Sequence, residues 1–163
     1  METNVFDQLA NQYDTDDRIQ LAKRILDQLG PFLHNTNESS LLDFGCGTGL
    51  LGIPLSSHYK HVMLCDDSPS MLEMANFKIN SHGIKNAKTM SPSDLALDQS
   101  FLVDNILLSL VLLHIPDTQS ILKFLYDHLN PMENYTLLIF VKMKRYPIRK
   151  FIMDSNLKIW NPS

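Results

Sequence analysis

Leu41-Leu42-Asp43-Phe44-Gly45-Cys46-Gly47-Thr48-Gly49-Leu50-Leu51-Gly52 is the stretch from which the rest of the chain is read. A short apolar run ends in an acid, breaks into alternating glycines and resumes with residues that suit a helix. This is the pattern of a buried strand entering a tight loop that leads into a helix. Glycine in such a loop tolerates positive φ and carries no Cβ, so the backbone can approach a ligand closely. A helix starting beyond the loop would aim unpaired N–H groups and partial positive charge at whatever lies over it. The stretch reads as a nucleotide- or cofactor-binding crossing.

Outward from it, apolar runs and helical stripes alternate. Strands are expected at Ser40–Phe44, His61–Asp66, Ala87–Met90, Val103–Leu110 and Tyr135–Val141. A helix is expected from near Gly49 to Ser57, with Pro54 early enough to be tolerated. Ser68 as N-cap and Pro69 at the first helical position open another, which Gly83 stops. Asp117 or Thr118 starts a third, with Ile121, Leu122, Leu125 and Leu129 as its stripe and Asn130-Pro131 as its end. Upstream, Val5–Tyr13 is expected to form a short helix, interrupted around Asp14-Thr15-Asp16-Asp17. A second runs to Leu29 with Ile19, Ala22, Ile25 and Leu26 at helical spacing, and Gly30-Pro31 closes it. Such alternation implies an α/β fold: a doubly wound, mostly parallel sheet with helices on both faces and the ligand over the carboxyl ends of the strands. One domain is expected over residues 1–163: a helical N-terminal lid (1–30), a core sheet (40–142) and a short C-terminal segment (143–163).

Composition sets the limits. With 163 residues, 44% hydrophobic and 20% charged, the chain has ordinary globular make-up. The net charge of −4 gives no global attraction to nucleic acid or an anionic membrane. No basic-plus-apolar leader is seen, and the apolar run Ile106–Ile115 is too short to span a bilayer, so a cytoplasmic protein without a membrane partner is expected. Two cysteines, Cys46 and Cys65, have no ligand-like spacing, so neither a disulfide framework nor a zinc site is expected. Both lie where a loop ligand could touch them, and both also fit as small buried thiols. The other histidines (His34, His58, His61, His82 and His128) have no metal spacing either.

Three motifs in order carry a family resemblance. Asp43-x-Gly45-x-Gly47-x-Gly49 resembles the glycine motif of class I S-adenosylmethionine-dependent methyltransferases, small-molecule type. Leu64-Cys65-Asp66-Asp67-Ser68-Pro69-Ser70-Met71-Leu72 resembles that family's second motif. Val103–Ile115 is similar to its strand-four signature. The resemblance covers residues 5–142. It implies a Rossmann-like methyltransferase fold, S-adenosylmethionine as cofactor and a small-molecule methyl acceptor.

Residue by residue, the resemblance gives Asp66 the ribose hydroxyls, with Asp67 as the competing acid. A strand-end aspartate can also cap the next helix, and that reading stays open. Asp43 is implied to orient the methionine ammonium or fix the loop, with Gly45, Cys46, Gly47 and Gly49 along the aminocarboxypropyl arm. Met71 is implied to pack on the ribose-adenine side. In Ser91-Pro92-Ser93-Asp94-Leu95, Ser91 stands where the family has an acid for the adenine amino group. Asp94 is the compensating candidate, with Ser93 beside it and Leu95 against the ring. Phe6-Asp7-x-x-Ala10-x-x-Tyr13-Asp14 resembles the family's N-terminal lid, in which Tyr13 covers cofactor or substrate, although Phe6 and Tyr13 also fit as sheet-edge packing. His114, just past the fourth strand, is the candidate base or acceptor-positioning group, and a structural histidine is the other reading.

Two alternatives accompany methyl transfer. One is binding of the cofactor without turnover, since residues 143–163 leave room for one short helix or strand and the family's last strands are expected to be missing. Tyr135–Val141 would then be an open edge, covered by the segment around Phe151–Trp160 or by a second copy in a homodimer. The other is a nicotinamide-binding oxidoreductase domain, because Gly47-Thr48-Gly49-Leu50-Leu51-Gly52 is a literal G-x-G-x-x-G. Against it, Asp66 follows Gly52 by 14 residues, where that fold places its acid roughly 20 on. Lys142, Lys144, Arg145, Arg149 and Lys150 read as a solvated basic face, and no nucleic-acid partner is expected.

Overall fold

The computed structural model describes residues 12–131, 136–143, 146–154 and 157–160. The expected Val5–Tyr13 helix lies outside these apart from Gln12 and Tyr13, and Phe6 and Ala10 fall outside. Helix α1 (Asp16–Leu29) begins at Thr15, whose backbone is extended and whose hydroxyl accepts the Arg18 amide at 3.4 Å. Asp16 and Asp17 sit in its first turn, where negative charge suits the helix dipole. A 3-10 turn, Gly30–Phe32, ends it.

Among the described residues, seven strands form one sheet. β1 (Ser40–Phe44), β2 (His61–Cys65), β3 (Ala87–Met90), β4 (Asn105–Ser109) and β5 (Thr136–Met143) are parallel, while β6 (Tyr146–Asp154) and β7 (Leu157–Trp160) are antiparallel. Their spatial order is β3-β2-β1-β4-β5-β6-β7. Helices α2 (Gly52–Leu55), α3 (Pro69–Ser81), α4 (Pro92–Leu97) and α5 (Thr118–Tyr126) make the connections. Strands buried on both faces explain the unbroken apolar runs. Leu41, Val62, Leu64 and Leu107 pack on one face with Ile25, Leu29, Leu55 and Ile79. Leu42, Cys65, Ile106 and Leu108 pack on the other with Leu95, Leu125 and Leu129.

Register decides where the site forms. Phe44 pairs with Cys65 on one side and with Leu108 on the other. β1, β2 and β4 therefore end nearly level, and the loops starting at Gly45, Asp66 and Leu110 leave the sheet side by side. The strand order turns outward at β1, the switch point where α/β sheets bind ligands.

Three expectations need correction. The helix after the glycine loop is one turn, Gly52–Leu55, not Gly49–Ser57. Its first residues are drawn into turns (Gly49 N to Cys46 O at 3.0 Å), so no long helix dipole points at the loop. The third expected helix ends at Tyr126 rather than near Leu129. Leu129 instead bridges Val103, with Val103 N donating to His128 O and Asn130 N to Val103 O. The last strands are present: the C-terminal segment supplies both β6 and β7. Because β6 pairs with β5 from Thr136 to Met143, that edge is filled from within the chain and leaves no opening for a second copy. Lys144 and Arg145 of the basic cluster lie outside the described residues.

Candidate functional site

A cleft of about 530 Å³ opens over the carboxyl ends of β1, β2 and β4, within the size range of cofactor pockets. Asp43, Gly45, Cys46, Gly47, Asp66 and Asp67 line it, as do Met71, His114 and Tyr13. Nine of the thirteen site residues proposed from sequence thus share one cavity.

The glycine loop is held by backbone. Gly45 N and Cys46 N both donate to Cys65 O, at 2.7 and 3.0 Å, which ties the loop to the end of β2. Gly45 has φ +75°, and a Cβ there would sit 2.1 Å from Val111 Cγ2, so the β4 exit packs directly on the loop. Gly47 has φ +55° and open space where a Cβ would be, leaving its backbone accessible from the cleft. The Cys46 thiol donates to Gly47 O at 3.4 Å. Burial is the main cause that raises the Cys46 and Cys65 thiols, Cys65 to about 12, so both stay protonated.

Asp66 accepts the Gly47 amide on Oδ2 at 2.8 Å and the Ser68 amide on Oδ1 at 3.0 Å. It therefore holds the glycine loop and caps α3 together, while Ser68, at the N-cap position, makes no side-chain cap bond. Each carboxylate oxygen has two lone-pair sites, so each keeps one acceptor position for a ligand hydroxyl. Asp43 differs. It is buried, and its Oδ2 accepts no hydrogen bond. Burial, with the nearby Asp66 charge adding to it, pushes its pKa up to about 7, and the Gly52 amide pulls the other way.

Four proposed residues stand elsewhere. Gly49 (φ +84°) faces Ile53 and Leu64. Asp94 is engaged in a capping box with Ser91, accepting Ser91 Oγ at 2.7 Å while its own amide donates back at 3.1 Å. Ser93 is exposed in the first turn of α4. Leu95 is fully buried in the core. The departure at Ser91 thus has a local cause: Ser-Pro-x-Asp builds a helix start.

Asp14, Thr48 and Leu110 also line the cleft and were not singled out from sequence. Leu110 has φ +61°, a left-handed conformation costly for a side chain of this size, and it turns the chain from β4 into the Leu112–His114 turn. Asp14 is bonded by Thr48 Oγ1 and by Lys78 Nζ. Lys78 lies seven residues after Met71, two helical turns along one stripe, and that spacing was the available signal.

Sheet order, level strand ends and a glycine loop flanked by two acids define a Rossmann-like cofactor-binding domain. Residues 42–132 match the family model described as a methyltransferase domain, and the chain belongs to that family. It is 24% identical over 138 residues to the ubiquinone biosynthesis O-methyltransferase of Rickettsia canadensis, covering 85% of this chain and 58% of that protein. The chain thus spans little more than half of that relative's length. Among solved structures, the magnesium protoporphyrin IX methyltransferase of Synechocystis PCC 6803 with bound SAM aligns with TM-score 0.64 and 22% identity, over 88% of this chain and 73% of that one. A SAM-dependent methyltransferase from Aquifex aeolicus aligns with TM-score 0.61 and 20% identity, over 87% and 76%. At these identities the structural likenesses establish the fold.

Proposed function

We propose that this domain binds S-adenosylmethionine and transfers its methyl group to a small-molecule acceptor. The observation that carries this is the convergence of Asp43, the Gly45–Gly47 backbone and Asp66 on one cleft. The residues fit the cofactor. Asp66 keeps an acceptor position on each oxygen for a vicinal diol, Gly47 leaves room for close approach, and Asp43 offers an unpartnered buried oxygen to a cation. When bound, the cofactor supplies an electrophilic methyl on a sulfonium.

The chain's own part is alignment and exclusion of water, with a base needed only where the acceptor must lose a proton. His114, exposed and lining the cleft beside the β4 exit, would hold or deprotonate an acceptor, and Tyr13 lines the same cleft from the N-terminal segment. No helix among the described residues is long and apolar enough to cross a membrane. Two free thiols suit a reducing compartment, which supports a cytoplasmic setting.

Calorimetry with S-adenosylhomocysteine and with NADH tests the reading. S-adenosylhomocysteine binds the wild type, and Asp66→Ala weakens it by about a hundredfold, the usual cost of losing a charged hydrogen-bond partner. Binding of NADH without S-adenosylhomocysteine overturns the proposal.

A further inference from the structure

The N-terminal segment before α1 meets the glycine loop through polar side chains. Asp14 Oδ1 accepts from Thr48 Oγ1, Asp14 Oδ2 accepts from Lys78 Nζ, and Lys78 Nζ also donates to Thr48 O at 3.0 Å. Three segments distant in sequence thereby close one ring: the Tyr13-Asp14 segment, the glycine loop and helix α3. The Asp14 and Lys78 side chains are only 14% and 19% exposed, so solvent and salt screen this pair less than a surface pair. Thr48 sits between Gly47 and Gly49, so the ring grips the loop where its backbone is least restrained by side chains.

Tyr13, Asp14 and Thr48 line the cleft, and Lys78 bonds to two of them. Three further carboxylates, Asp43, Asp66 and Asp67, line the same cleft. Without the Lys78 ammonium, Asp14 would be a partly buried anion held to the glycine loop by the Thr48 hydroxyl alone, with Arg18, which donates to Tyr13 O at 2.9 Å, as a cation on the same cleft.

We infer that Lys78 is a positioning residue for ligand retention: its ammonium fastens Asp14 to Thr48 and so keeps the Tyr13 segment and the glycine loop together as two walls of one cleft. The inference rests on the cofactor reading above. Ligand exchange then requires this ring to open. A ligand that orders the glycine loop also favours the closed ring, because the coupling is reciprocal.

The test compares wild type, Lys78→Met, Lys78→Arg and Asp14→Asn by S-adenosylhomocysteine affinity, its dissociation rate, and melting of the ligand-free protein. Lys78→Met lowers affinity by about tenfold, with the change in the dissociation rate. Lys78→Arg keeps most of the affinity. Asp14→Asn weakens binding too, and the double variant carrying Asp14→Asn and Lys78→Met binds little worse than Lys78→Met alone, since both changes break one ring. In hydrogen exchange, the ligand slows the Arg18 and Ile19 amides in wild type and not in Lys78→Met. An unchanged dissociation rate in Lys78→Met overturns the inference, including the case where only the melting temperature falls. Wild type that binds no S-adenosylhomocysteine overturns the cofactor reading and this inference with it, whereas equal binding by wild type and Lys78→Met overturns this inference alone.

Discussion

Two aspartates at opposite ends of the sheet show how differently one side chain can be used. Asp104 lies at the amino end, just before β4. Its Oδ2 accepts from Ser40 N at 2.7 Å and Ser40 Oγ at 2.8 Å, and its Oδ1 from Asn130 Nδ2 at 3.2 Å. The protein supplies the partners, and the carboxylate pins β1 to β4. Asp43, near the carboxyl end of β1, is more deeply buried yet keeps Oδ2 without a partner, and its pKa is raised to about 7. A buried polar group left unsatisfied costs stability, and Asp43 carries that cost on a cleft wall. The amino end is built for holding strands together, and the carboxyl end for holding something else.

Leu95 gives the largest effect by which this contrast can be broken. Although it follows β3 on the cleft side of the sheet, it belongs with the structural residues. Leu95→Ala lowers unfolding free energy by about 3 kcal/mol in chemical denaturation, with S-adenosylhomocysteine affinity of the folded protein kept. An affinity loss without a stability loss would return Leu95 to the ligand site. Asp104→Ala comes next, costing about 2 kcal/mol because the Ser40 and Asn130 donors lose their acceptor. Ligand affinity of the folded fraction is unchanged, the reverse of Asp66→Ala.

Per pH unit, the smallest effect is the pH dependence of Asp43, at most about 1.4 kcal/mol. Folded, it holds its proton up to about pH 7, whereas its ordinary pKa is 3.8. Between these values the native state binds more protons than the unfolded state, so this group makes stability fall as pH rises across that window. Asp43→Asn removes that slope in urea melts taken from pH 4 to 7. An ammonium on the ligand favours ionised Asp43, so S-adenosylhomocysteine affinity in wild type climbs by up to about tenfold per unit as pH rises toward 7 and levels off above it. The climb is flattened in Asp43→Asn.

Much of this molecule is local and therefore readable. Apolar runs such as Leu41–Phe44 and Ile106–Leu108, the Gly45-x-Gly47 loop and the acid at Asp66 depend on short-range period and backbone freedom. What misled was also local. Gly49 and the residues after it look like a helix start, yet Pro54 and the turns between Cys46 and Gly52 leave only one turn. Ser91-Pro92-Ser93-Asp94 occupies the position of an adenine site in the motif order, yet its side chains satisfy the first turn of α4. The C-terminal segment reads as too short for more than one element, but β6 pairs antiparallel with β5 and β7 with β6, so it holds two strands.

By itself the sequence determined the parallel α/β architecture, the glycine loop and the acids beside it, because strand burial, turn chemistry and strand-end charge act over a few residues. Only the tertiary structure decided that Asp14, Thr48 and Lys78 close a ring, that Asp43 keeps an unpartnered oxygen where Asp104 keeps none, and that β6 seals β5. Each of these depends on which distant segments meet, and on what is left over once every nearby partner has been taken.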